Sequence, residues 1–289
     1  MNEQKILRWM ANRGIDFETV ADVERQQKKF LRNLEASSIR PSCYEGLESC
    51  GTTICGCDKC LEVCRFAAYR RRLQQIVAAH RLLEQCGEPI FEIRVARGVW
   101  VRDINHLREV SVGAAKQLNR RALDSLYNPD LVAIGVFKVG PATYVGKELW
   151  VAEIHELLAG GERDIDDIKG AFSPMNFPPM GISDYPDAIW AKQVANVGQV
   201  LSNIFDYRLR PYKDPREAGV YEPNKITMAL WEECYRWRLA LPTNICLIRY
   251  GCDRYFNKLN KKPRKTRVPK KRKYPEWLIP FMYGNEPKN

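Results

Sequence analysis

Apolar and polar positions along the chain sort into stretches of helical and strand period. Between Lys5 and Leu34 the apolar residues Ile6, Leu7, Met10, Phe30, Leu31 and Leu34 recur at helical spacing among many charges, which predicts one or two surface helices. Ser37-Ser38-Ile39-Arg40-Pro41-Ser42 ends that pattern. A second helical run begins at Arg65 and continues through Leu73, Ile76, Val77, Leu82 and Leu83 to a stop at Gly87. From Ile90 to Val101 the pattern alternates and predicts a strand, with a break at Gly98. A long helix is predicted over 110–126, followed by the turn Asn128-Pro129-Asp130 and a buried strand over 131–138. Gly140-Pro141 turns the chain into another strand, Glu148 to Ala159, stopped by Gly160. The Pro-, Gly- and Met-rich stretch 172–184 predicts a loop. Beyond it come a helix over 187–207 with Asp187 as its N-cap, a helix over 223–239 and a short strand over 243–250.

Strand, helix, strand, turn, strand is an order in which the last two strands pair as an antiparallel hairpin packed on the helix. The fold class is therefore α+β, an antiparallel sheet packed with helices, with a cysteine-rich knuckle near its N-terminal end. Four segments are expected: helices over 1–42, a knuckle and basic helix over 43–88, the α+β domain over 89–256, and a basic, Pro-containing tail with an aromatic end over 257–289.

Charge changes this picture by its location. The chain of 289 residues carries a formal net charge of +11, and the eleven Lys and Arg between Arg254 and Tyr274, with no acidic residue among them, account for all of it. Like charges punctuated by Pro263, Pro269 and Pro275 cannot pack on themselves and suit phosphate binding through counterion release. Lys261, Lys262, Arg264, Lys265, Lys270, Lys271 and Arg272 are the candidate DNA contacts there, with a purely solubilising tail as the alternative. The apolar, aromatic end from Tyr274 to Tyr283 suits docking onto its own domain or onto a protein partner. No apolar run reaches the roughly 20 residues of a membrane span, and the N-terminal sequence lacks a signal-peptide core, so a cytoplasmic protein without membrane contact is expected.

Six of the ten cysteines fall between Cys43 and Cys64, and in a chain without a secretion signal such crowding points to metal rather than disulfides. Cys50, Cys55, Cys57 and Cys60, with turns at Gly51 and Gly56, form the preferred set for a structural tetrahedral Zn²⁺. Cys43 or Cys64 can substitute, and an iron–sulfur cluster is also compatible with the spacing. The basic half of the following helix, Arg65, Arg70, Arg71 and Arg72, lies beside this knuckle and is placed to grip a DNA backbone, as is the basic aromatic turn with Arg208 and Arg210. On the strand 148–159, Glu153 and His155 share one face because side chains alternate, which gives two metal-capable groups on one surface. The plain alternative is a half-exposed strand whose polar face meets water.

A cysteine knuckle, an Arg-rich helix, a strand and long helix, then Ala133-Ile134-Gly135-Val136-Phe137 and Trp150-Val151-Ala152-Glu153-Ile154-His155 resembles the HUH endonuclease superfamily of rolling-circle replication initiators and transposases. In that family the metal strand carries His-hydrophobic-His; here Glu153 stands at the first histidine position and His155 at the second. The resemblance implies a DNA-nicking and -joining protein in which Glu153 and His155 hold Mg²⁺ or Mn²⁺ and a tyrosine attacks the phosphodiester. A phenol of pKa about 10 needs such a cation to polarise the phosphate. The tyrosine implied is Tyr207, at the end of the helix after the metal strand, and the substrate is single-stranded or hairpin DNA. Two other readings stand beside it: a catalytically inactive HUH-type DNA-binding module of a mobile-element or defence complex, and a zinc-stabilised protein-interaction adaptor.

Overall fold

A computed structural model describes residues 3–39, 65–87, 89–144, 146–161, 163–173, 188–206, 208–212, 226–241 and 245–252. Two helices open the chain, α1 (Glu3–Ala11) and α2 (Val20–Glu35), the second started by a capping box in which Thr19 and Asp22 satisfy each other's backbone amides. The long helix α3 spans Arg65–Cys86, and strand β1 (Ile90–Ala96) follows. The predicted strand does break at Gly98, where a 3-10 turn (Gly98–Trp100) leads into the short β2 (Arg102–Asp103). Helix α4 (Val112–Ser125) is capped by Ser111, and β3 (Val132–Tyr144) and β4 (Lys147–Ala159) form the expected hairpin, but Gly140 and Pro141, expected to turn the chain, instead continue β3 opposite Val151 and Trp150. Then come α5 (Ile165–Ala171), β5 (Ala188–Gln193), α6 (Val197–Ile204), α7 (Met228–Ala240) and β6 (Leu247–Tyr250).

The six strands form one sheet in the order β5-β1-β4-β3-β6, with β2 paired to the beginning of β4, and every pairing is antiparallel. The run β1-α4-β3-β4-α5-β5 is thus a split βαβ arrangement in which β4 lies at the centre. Helices cover both faces. Odd-numbered residues of β4 such as Leu157 and Ala159 share a core with α1, α3 and α6, whereas Trp150, Ala152, Ile154 and Leu158 pack with α4, α5 and α7. The N-terminal helices therefore belong to the same core as the sheet. Gly160, at φ +98°, ends β4 in a conformation that a side chain resists, and a Cβ there would meet the Asp130 carbonyl.

The predicted helix over 187–207 is corrected. Its first half within the described residues is the edge strand β5, and the helix begins only at Val197 behind the N-cap Asn196, whose side chain accepts from the Gln199 amide. Edge pairing to β1 alone leaves β5 half-buried, so its sequence lacks a clean two-residue alternation. Helix α5, too, was not anticipated. No helix among the described residues is long and apolar enough to cross a membrane.

Candidate functional site

The two-residue period of β4 puts Glu153 and His155 on one face, but that face does not meet water. Helix α6 lies over it, and the two side chains are 7% and 6% exposed. The neighbouring strands bring their own charges to the same face: Arg94 is the register partner of His155 on β1, and Lys138 that of Glu153 on β3.

Each candidate ligand is held by one of these neighbours. Arg94 donates from Nε and from a terminal nitrogen to the same Glu153 oxygen, at 3.0 and 2.7 Å. His155 Nε2 is 2.8 Å from Glu92 Oε1, while Lys192 approaches the other Glu92 oxygen at 3.4 Å. Burial lowers the His155 pKa and keeps the imidazole neutral, so Nε2 carries the hydrogen that the Glu92 carboxylate accepts. Burial works against ionising Glu92, yet the His155 hydrogen bond and the nearby Lys192 hold its pKa below the ordinary value. For Lys138, burial pushes the ammonium down to about 8, and its Nζ donates to the Asn203 carbonyl at 2.6 Å, tying β3 to α6.

As folded, this layer does not fit a divalent cation. Glu153 already neutralises Arg94 and faces Lys138, so a metal ion there would stand against two positive charges. The Nε2 hydrogen of His155 is committed to Glu92, leaving no lone pair on that atom for coordination. Among the described residues no group of three or more His, Cys, Asp or Glu side chains is placed to hold a metal. Tyr207, the cysteines Cys50, Cys55, Cys57 and Cys60, and the basic residues Lys261, Lys262, Arg264, Lys265, Lys270, Lys271 and Arg272 lie outside the described residues.

The remaining basic candidates part company. Arg72 is 6% exposed; it pairs with Glu18 at 2.9 Å, donates to the Ser202 carbonyl and lies over the Phe17 ring, so it fastens α3 to α6 rather than facing a ligand. Arg70 and Arg71 are partly exposed on α3. Arg208 and Arg210 both reach Asp206. Burial opposes that carboxylate, but the Arg208 hydrogen bond and the charges of Arg72, Arg208 and Arg210 drive its pKa down.

Arg65 and Arg208, distant in sequence, meet on one groove of about 340 Å³ between α2, the start of α3 and α7. Lys29 and Arg238 line it too, and among the described residues no Asp or Glu does. Its wall is aromatic. Trp231 stacks on Tyr235 with ring centroids 5.2 Å apart and planes 12° from parallel, and Phe30 meets both edge-on. The Arg65 guanidinium sits 4.4 Å over the Phe30 ring. Both chain ends that flank residues 40–64 are fixed here: Ser38 bonds Glu232 on α7, and the Arg65 amide donates to Gln27 on α2.

Sequence reading missed Glu92 and Arg94, although their spacing on β1 is the same alternate-position signal that singled out Glu153 and His155. It also missed Lys29, Phe30, Trp231, Tyr235 and Arg238. The i, i+4 spacing of Trp231 and Tyr235 marks an aromatic stripe, but nothing in the sequence says that α2 faces it. No family model matches the chain, and no curated protein or solved structure matches it either.

Proposed function

We propose that the protein binds DNA without cleaving it, as a binding module built on an HUH-like scaffold. One observation carries this reading: Arg65 and Arg208 converge with Lys29 and Arg238 on a groove with aromatic walls and, among the described residues, no acidic lining. Basic side chains interleaved with aromatic rings suit a polyanion whose bases offer flat faces. The basic run over 254–273 adds a second source of phosphate contacts. The cysteine-bearing segment leaves and rejoins the described chain at the walls of the same groove, which supports a shared role in holding nucleic acid. On the sheet, the charged layer around Glu153 serves instead to join β1, β3 and β4 beneath α6.

Fluorescence anisotropy with single-stranded, hairpin and duplex DNA at rising salt tests this. Binding should weaken steeply with salt. A chain ending at residue 253 should bind more weakly with a shallower slope, by about 0.7 for each single-strand phosphate that the basic run neutralises. Salt-independent binding, or none, sinks the proposal.

The nicking reading keeps one observation in its favour, the central place of β4 with Glu153 and His155 on a common face. It predicts a covalent protein–DNA adduct in Mn²⁺ that Tyr207→Phe abolishes. The arrangement of Arg94 and Lys138 argues for the opposite result.

A further inference from the structure

Four cations make the groove attractive to any phosphate chain, but duplex DNA presents only its backbone and groove edges, and its base faces are closed by stacking. The aromatic cluster adds something that a duplex cannot use. Phe30 and Tyr235 are 4% exposed, so they serve as backing; Trp231 is only half-buried, and its exposed part lines the groove. Pinned between Tyr235 behind it and Phe30 at its edge, the indole has little rotamer freedom left to lose, which favours its use as a rigid stacking surface.

Resting on the DNA-binding reading above, we infer that this groove takes an unpaired nucleotide: the base stacks against Trp231 while Lys29, Arg65 and Arg238 hold the flanking phosphates. The space of about 340 Å³ is on the scale of a small-ligand pocket rather than of a double helix. Sequence preference should be weak, because every base has a π-face and stacking does not read a base edge.

The test compares a thymidine oligonucleotide with an analogue of equal length and charge in which every base is missing, both measured against the full-length wild-type protein. Stacking predicts that the abasic strand binds about ten-fold or more weakly. Trp231→Phe should keep most of that difference and Trp231→Leu should erase it, leaving the abasic strand's affinity unchanged. Circular dichroism checks that both variants fold; should Trp231→Leu not fold, the wild-type comparison alone decides. Equal affinity for the two strands overturns the inference, as does a full difference retained by a folded Trp231→Leu. Those outcomes leave DNA binding intact. If neither strand nor a duplex binds at all, the functional reading itself has failed.

Discussion

Glu156 is the group on which pH should act most directly. It projects from β4 to the face opposite Glu153, is fully buried, and receives one hydrogen bond, from Asn119 Nδ2 at 3.0 Å. Its Oε1 and the Asn119 Oδ1 are both buried without a partner. Burial pushes the carboxyl up from 4.5 to about 7, the Asn119 hydrogen bond opposing. The folded state therefore holds the proton more tightly than the unfolded chain. The resulting stability is fully present below about pH 4.5 and is lost as pH rises through 7, about 3 kcal/mol in all, a large share of a typical domain's 5–15 kcal/mol. Glu156→Gln keeps the shape, cannot ionise, and brings an N–H to a pair with two unpartnered oxygens. It should match the wild type near pH 4.5 and exceed it by about 3 kcal/mol at pH 8. Urea unfolding from pH 5 to 8, read as the difference between the two proteins, isolates this group from His155, Glu92 and every other titrating site. Parallel pH profiles would refute the reasoning.

Three further outcomes are expected. Gly135→Ala should destabilise by about 2 kcal/mol or more in thermal or urea unfolding, because a Cβ on β3 would run into the Cβ of Glu156 and the backbone of β4. Arg94→Met should cost about 3 kcal/mol by stranding Glu153 beneath α6, and Arg94→Met with Glu153→Leu should regain much of it; additive losses in the double variant would show that the pair is not coupled. Native mass spectrometry should find one Zn²⁺ per chain, lost on exchanging Cys55 and Cys57 together for serine, and an unaltered metal content would remove them from the ligand set.

Much of the architecture was legible because it is written in local periodicity. The hairpin of β3 and β4, the helices α3 and α4 and the stop at Gly160 are set by residues close in sequence. What periodicity could not give depends on partners far along the chain. β5 carries Ile189 at a spacing that also suits a helix, and only pairing with β1 makes it a strand. The seven-residue α5 has its cap in Asp164, but its short apolar stripe of Ile165, Ile168 and Phe172 needs the core of α4 and β5 to be stable.

The site divided along the same line. That Glu153 and His155 share a face follows from the strand alone, and holds. What lies opposite them does not follow, and it is the opposite groups that fix their chemistry. Glu153 is paired with Arg94 and faces Lys138, and Glu92 is paired with Lys192 while His155 remains neutral, so both carboxylates of the face are already compensated. A divalent ion could enter only by displacing Arg94 from Glu153 and the His155 hydrogen from Glu92, leaving cations buried and uncompensated. The groove shows the converse: four cations drawn from separate stretches of sequence line it and, among the described residues, no acidic residue does, so its surface favours a ligand that carries phosphates. Spacing within one strand locates candidate ligands, but the sign of the charge across from them decides between a metal site and a strut.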